Sequence, residues 1–488
     1  MPYSQRAALF TLLSLGLAAG CADDSLVGRS GRIPIDSRQS TLGTFHADAS
    51  ATAGDVNGDG FVDLVVWTNA SQPRDTSGIP TGPVMELFVF LGSDNGFDGT
   101  LAPEDADTTL TLREHEFVAH ARTQDLDGDG AAEIVVHALV ESSDAFPSSS
   151  EITPAVLAAP PVGSVYVVDG AGLPAGVHPI ESVGARTPAY RAGMDYAVRA
   201  PLPVRDLDGT AGAEFVTEPY RTIPIGVSNL TVRDLATGAA RVELVAPENT
   251  FMDVRGVLDY DGDGIDDLAV LYVRTEGGNP TLYGSWTAVG LGVFFGPLDA
   301  NRTLGDVDAP MFDFPGISLA PAAVSSFVLD GAVSTVVGDF GSDDRDDLLF
   351  TAVDGTSLFL PGGPRVAPRR VLPLAVDRTT EDERPLWATA VRGGGPSGED
   401  AVFLVAQDTL SLRVPGVTGL VTGVEREDGV LIRRETIERA GDAGAPVFTT
   451  LGGAVADFDG DGKLDLALGA RADATDRSLV HILYGFGG

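Results

Sequence analysis

One nine-residue phrase, Asp-x-Asp-x-Asp-Gly-x-x-Asp followed by an apolar run, recurs along the chain and limits its fold more than any other feature. The fullest copies run Asp55 to Asp63, Asp259 to Asp267 and Asp457 to Asp465. Eroded copies begin at Asp125, Asp206, Asp339 and Arg392. The seven first positions lie 53 to 81 residues apart, with a mean of 67. A period of that length marks stacked supersecondary units, each burying its faces against its neighbours. The 488 residues are therefore read as one repeating body, not as the roughly three domains that length alone suggests.

Each loop is followed by a short apolar run: Leu64 to Trp67, Ile134 to Val136, Phe215 to Val216, Leu268 to Tyr272, Leu348 to Phe350, Val402 to Val405 and Leu466 to Leu468. Their length and composition predict strands. A second apolar run ending in glycine follows most of them, closing at Gly92, Gly170, Gly296, Gly362 and Gly485. No long 3.6-residue pattern appears, and 60 Gly and 31 Pro supply turns. A unit of this length has room for four strands. Seven such units predict an all-β fold, a seven-bladed β-propeller of four-stranded antiparallel blades, an architecture that leaves only short sheet edges. Six or eight blades are the alternative, since intervals of 80 and 81 residues leave room for an eroded unit.

The loop chemistry is that of a hard cation. Carboxylates at positions one, three and five converge inside a tight turn, glycine at six lets the backbone curl, and the carbonyl at seven and carboxylate at nine complete the shell. Only oxygen ligands are offered, which argues against zinc and copper, and the crowded shell suits Ca²⁺ better than Mg²⁺. Full ligand sets are Asp55, Asn57, Asp59 and Asp63; Asp259, Asp261, Asp263 and Asp267; and Asp457, Asp459, Asp461 and Asp465. Asp125, Asp127, Asp129 and Glu133 form a complete set with a longer closing side chain. Asp339, Asp343 and Asp347 lack a third-position ligand, since Gly341 stands there and Asp344 replaces the glycine at six. Asp206, Asp208, Thr210 and Glu214 have also lost that glycine, and Arg392, Gly394 and Pro396 offer no ligand. Four to five calcium sites are expected, with a structural role, because clustered carboxylates repel unless neutralised.

These loops and the strands after them resemble the FG-GAP, or VCBS-type, repeats of the integrin-α-like seven-bladed propeller, over residues 33–488. The resemblance implies that each cation loop joins the first and second strands of a blade on the lower face, and that partners meet the upper face. After Asp465 only 23 residues remain, too few for a whole blade. Residues Ile33 to Phe45 are expected to supply the missing outermost strand and close the ring.

Residues 1–20 read as an export signal: Arg6 precedes the apolar stretch Ala7 to Leu17, too short to span a bilayer. Leu17-Ala-Ala-Gly-Cys21 resembles a bacterial lipoprotein signal, with Ala18 where leucine is usual. The resemblance implies lipidation at Cys21, the only cysteine, and a polar tether over residues 21–32. The expected location is the bacterial cell envelope, at the outer membrane or cell surface. A net charge of −38 excludes binding to nucleic-acid backbones.

No catalytic motif emerges. His115 and His120 are five residues apart, not the four of a zinc-protease helix, and their segment reads as a strand. The long connections Asn69 to Val84, Glu141 to Gly163 and Arg274 to Gly290, with Tyr283 and Trp286 as anchors, are expected opposite the metal loops. The function expected is non-enzymatic adhesion or binding of a protein or glycan. The alternatives are a polysaccharide lyase or hydrolase on a propeller, and a structural subunit of an envelope complex.

Overall fold

The computed structural model describes residues 39–46, 49–68, 86–97, 100–113, 116–140, 163–189, 204–210, 212–217, 229–276, 286–313, 332–340, 343–352, 357–365, 372–374, 383–391, 400–408, 417–425, 430–438, 447–462, 464–471 and 477–484. The leader, Cys21 and the tether lie outside the described residues. So do Arg392 to Pro396, Gly341, Tyr283, the side chain of Trp286 and most of the long connections.

Every apolar run that follows a loop forms the second strand of a sheet. Asp63–Thr68, Glu133–Val140, Glu214–Thr217, Asp267–Thr275, Asp347–Ala352, Ala401–Asp408 and Asp465–Arg471 each pair antiparallel with the strand before the loop. Among the described residues there are seven sheets, each with four strands in antiparallel succession. Helix is confined there to the single turns Ile180–Val183 and Pro103–Asp105.

The sheets follow one another around a ring. The first strands Val447–Ala456, Ala49–Gly54 and Glu116–Gln124 lie side by side in that order, as do Thr250–Leu258, Ala332–Gly338, Glu383–Val391 and again Val447–Ala456. Facing sheets share apolar layers. Val65, Trp67 and Leu87 of the first pack on Ile134, Val136 and Tyr166 of the second. Val135 and Val165 meet Phe215 and Leu235 of the third, and Val216 and Leu230 meet Leu268 and Val270 of the fourth. Strand alternation accounts for this: Val65 and Leu64 point to opposite faces, so a doubly buried strand must be apolar at both. Both are fully buried.

Ring closure is made by the two ends of the chain. Gln39–His46 pairs antiparallel with Arg477–Leu483, from Gln39 opposite Leu483 to His46 opposite Arg477. The N-terminal strand thus completes the seventh sheet, as the shortfall after Asp465 predicts. Beside it, the buried Tyr484 hydroxyl accepts from the Phe97 N–H at 2.8 Å and donates to the Phe97 carbonyl at 2.9 Å. The Phe97 and Phe458 rings meet across the same seam at 6.0 Å.

Three outer edges carry a short parallel strand that no repeat pattern announces. Thr100–Leu101 adds to the seventh sheet, Gly176–Pro179 to the first and Arg302–Thr303 to the third. Each comes from the unit that follows in the ring, so neighbouring blades cover one another's edges. Part of the extra length in the two longest intervals goes into these edge strands and the Ile180–Val183 turn.

His137 is buried with neither ring nitrogen hydrogen-bonded, and it sits in register with His120, whose ring lies 5.8 Å from that of Trp67. His120 therefore belongs to a strand, which rules out a helical metal-protease arrangement. Burial pushes the His137 pKa down from 6.5 to about 4. The unfolded chain takes up this proton below pH 6.5 while the folded chain stays neutral. Stability is therefore lost as pH falls through that window, by about 3 kcal/mol at most. Urea midpoints at pH 7 and pH 5 should show this loss, and His137→Leu should reduce it; an unchanged slope in the variant would refute the assignment. Tyr484→Phe removes the hydroxyl that bonds both the Phe97 N–H and its carbonyl. It should lower stability by about 1–3 kcal/mol in the same melts.

Candidate metal-binding loops

The first carboxylate of each loop organises the turn. Asp55 Oδ1 accepts from the Asp59 N–H at 3.0 Å and its Oδ2 from the Gly60 N–H at 2.8 Å. Asp259 does the same with Asp263 at 3.0 Å and Gly264 at 2.9 Å, and Asp457 with Asp461 at 3.1 Å and Gly462 at 2.9 Å. The glycine at six is needed because the backbone there is left-handed, with φ of 80–94° at Gly60, Gly130, Gly264 and Gly462. The glycine at four is needed equally: Gly58, Gly128, Gly209, Gly262 and Gly460 have φ of 71–79°. Sequence reasoning overlooked this second requirement, although the Asp-Gly-Asp-Gly spacing carries it. In the Asp339 loop, Asp344 adopts φ 58°, and the Asp343 and Asp344 N–H groups still reach Asp339 at 3.1 and 2.9 Å. Aspartate tolerates that conformation, so the turn survives without its glycine.

The closing carboxylate at nine does something the sequence does not announce. Asp63, fully buried, accepts from the Val56 N–H at 2.7 Å with one oxygen and from the Gly92 N–H at 2.7 Å with the other. Asp267 binds Tyr260 N–H at 3.0 Å and Gly296 N–H at 2.7 Å. Asp347 accepts from Gly362 at 2.7 Å, and Asp465 from Phe458 at 2.8 Å. Glu133 and Glu214 reach Leu126 and Leu207 at 2.6 and 2.9 Å. Asp63, Glu133, Glu214, Asp267 and Asp465 therefore tie their own loops down, and Asp63, Asp267 and Asp347 hold the end of the third strand. The glycines that end the third-strand runs are required by the same contact. A Cβ on Gly92, Gly170, Gly296 or Gly362 would come within 2.3, 2.4, 2.6 and 2.6 Å of the carbonyl oxygen preceding the closing acid.

Burial makes these carboxylates hard to ionise when no cation is bound. Desolvation outweighs the backbone hydrogen bonds and raises the pKa of Asp63 and Glu133, that of Glu214 to about 7 and that of Asp267 to about 8. Several acidic clusters could hold a metal ion. Ligand oxygens converge within 4.8 Å in Asp125, Asp127 and Glu133; in Asp206, Asp208 and Glu214; in Asp259, Asp261 and Asp263; and in Asp457, Asp459 and Asp465. The Asp206 cluster is the surprise, since the loss of its glycine at six leads one to expect little there. Asp55, Asn57, Asp59 and Asp63 share one turn, with Asn57 donating to Asp59 at 2.9 Å. The donors are all hard oxygens, which fits calcium.

Two loops depart from the sequence reading. In the sixth sheet Val391 pairs with Ala401, the place taken by the closing acid in other sheets. Alignment on the nine-residue phrase puts Asp400 there, but the loop is one residue longer. Asp400 instead stands where Asp346 stands in the fifth sheet. Its N–H binds the Asp339 carbonyl at 2.9 Å and its Oδ2 accepts from Asp339 N–H at 3.1 Å, as Asp346 does toward Asp259, both at 2.9 Å. In the fourth loop, Arg365 of the fifth sheet binds Asp261 through Nε and Asp263 through Nη2.

The two kinds of acid should respond differently to truncation. Asp63→Ala removes the acceptor of the Val56 and Gly92 N–H groups and should lower stability by about 2–5 kcal/mol with or without calcium. Asp59→Ala touches only the exposed turn and should cost stability only when calcium is present. Chemical melts of both variants in calcium and in EGTA check this, and equal responses would contradict the division of labour.

Residues 450–483 match the family profile described as FG-GAP repeat. None of the curated proteins matches this sequence. Among solved structures, the chain is similar to BBS1N in its complex with ARL6DN, at 9% identity over 93% of this chain and 97% of that one, with a TM-score of 0.40. It is also similar to the C-terminal WD40 domain of Sif2, at 10% identity, 93% and 100% coverage and a TM-score of 0.40. The Dos1 propeller gives 10% identity, 92% and 96% coverage and a TM-score of 0.41. The strand pairing and ring contacts, not these distant likenesses, carry the fold. The seventh acidic loop and the strands around it thus match an FG-GAP repeat, within a chain whose strand pairing is that of a β-propeller.

Proposed function

We propose that this protein is a calcium-stabilised propeller of the bacterial cell envelope, anchored by lipid at Cys21, that binds a protein or glycan through the face opposite its acidic loops. A β-propeller with FG-GAP loops is a protein-interaction scaffold in general terms. The finer reading goes further. The observation that carries it is the convergence of carboxylate oxygens within 4.8 Å in four loops, each joining the first and second strands of its sheet.

Neighbouring loops are tied rim to rim. The Ala132 N–H donates to the Asp55 carbonyl at 2.6 Å, Asp346 to Asp259 at 2.9 Å and Leu298 to the Leu207 carbonyl at 2.6 Å. A cation in one loop would thus stiffen the next, leaving the opposite rim free to carry variable connections on a fixed frame. The binding role itself rests on analogy of fold.

One buried polar cluster near that opposite rim is structural. Glu116 accepts from the Tyr166 hydroxyl at 2.7 Å and from Ser164 at 3.3 Å, while Arg186 donates to Ser164 at 2.8 Å. Tyr166 is fully buried, and burial with the Glu116 bond pushes its pKa up to about 12, so it serves the core and not a substrate.

Calcium at a hundredfold its Kd would add about 2.7 kcal/mol per occupied site. Millimolar calcium added to EGTA-treated mature protein should raise Tm by about 10 °C or more, with magnesium giving less. The calcium-loaded protein should bind one class of envelope protein or polysaccharide in a solid-phase screen, and Cys21→Ser should release it from membranes. An unchanged melting curve would remove calcium from the account, and turnover of a polysaccharide in the same screen would replace binding by catalysis.

A further inference from the structure

We propose that Arg365 is a resident cation for the fourth loop, so that the Asp259–Asp267 turn, a full ligand set by sequence, takes no calcium while the other full sets do. This rests on the calcium reading of the loops. In the fourth loop, the carboxylates of Asp261 and Asp263, at ligand positions three and five, converge on one guanidinium, through Nε and Nη2 respectively. Asp261 and Asp263 supply two of the three carboxylates that converge in this loop. The Asp261 side chain is only 6% exposed beneath the arginine.

The arginine is not a chance visitor from a loose surface arm. It lies two residues beyond Gly363, whose N–H binds the Tyr260 carbonyl at 2.7 Å, and three beyond Gly362, whose N–H is held by Asp347 at 2.7 Å. Asp259 and Asp346 exchange two further bonds, each 2.9 Å, at the base of the same loop. The fifth sheet thus grips the first two residues of the fourth loop before it presents the guanidinium. The guanidinium carbon also lies 5.4 Å from the centre of the buried Phe295 ring, so one face rests on an aromatic while its edge meets the carboxylates. The Asp55 and Asp125 loops carry no arginine on their carboxylates among the described residues. A planar, permanently charged fork that meets two carboxylates leaves neither the space nor the charge deficit that a divalent ion requires.

The test is calcium stoichiometry by isothermal titration, with terbium luminescence as a second readout, on the wild-type mature protein, Arg365→Gln and Asp261→Asn. Arg365→Gln should gain one site over wild type, and its Tm should rise more on calcium addition than that of wild type. Asp261→Asn should leave the wild-type count unchanged. If Arg365→Gln does not fold in EGTA, it is purified in calcium and its bound metal counted by elemental analysis, with the same expectation of one extra ion. A wild type that binds calcium but loses one site on Asp261→Asn, or an Arg365→Gln that gains none, overturns the proposal alone. A wild type and Arg365→Gln that both bind none overturn the calcium reading and this proposal with it.

Discussion

The architecture depends on a buried carboxylate that closes six of the seven turns. Asp63 and Asp267 each hold one N–H of their own loop and one N–H at the end of the third strand. That single side chain fixes the hairpin, the spacing of the second and third strands and the glycine that must lie beneath it. The arrangement has an electrostatic consequence. A carboxylate sealed from water by its own packing resists ionisation, and two or three more carboxylates are turned toward it by the same turn. The loop is well folded and poorly neutralised, and this is the condition in which a cation adds most to stability.

The loops answer that condition in different ways. In the Asp125 and Asp457 turns carboxylate oxygens of three acids converge within 4.8 Å. The fourth loop receives a guanidinium from the next sheet. In the fifth, Asp343 faces Arg345 of its own turn at 3.7 Å. The sixth has no acid at the closing position, where Ala401 stands. A ring built from one repeated hairpin has thus kept the hairpin while varying its counter-charge. The same hairpins join neighbour to neighbour through backbone bonds at the rim, so the counter-charge of one loop bears on the next.

Much of this was legible in the residues. The second strands follow from the apolar runs after each loop, because a strand packed on both faces has no polar positions to hide. The use of residues near Gln39 to complete the last sheet follows from counting what remains after Asp465. The ligand sets follow from alternating carboxylates. Other features were illegible for physical reasons. The two-residue edge strands such as Thr100–Leu101 pair through the backbone alone and impose no side-chain pattern. Arg365 meets Asp261 across two sheets, a contact that only the closed ring creates. Ala401 could not be placed because an eroded loop with an extra residue keeps no phrase to align. The role of Gly92 and its counterparts was visible as a recurrence, but its cause, the crowding against the carbonyl before the closing acid, needed the fold.

The central claim is that the acidic turns are closed by a hard ion, and a calcium-soaked crystal of the mature protein, read by anomalous scattering, tests it most directly. The account predicts peaks inside the Asp55, Asp125 and Asp457 turns, each surrounded by oxygens at about 2.4 Å. Turns that keep their shape around solvent alone in such a crystal would contradict it.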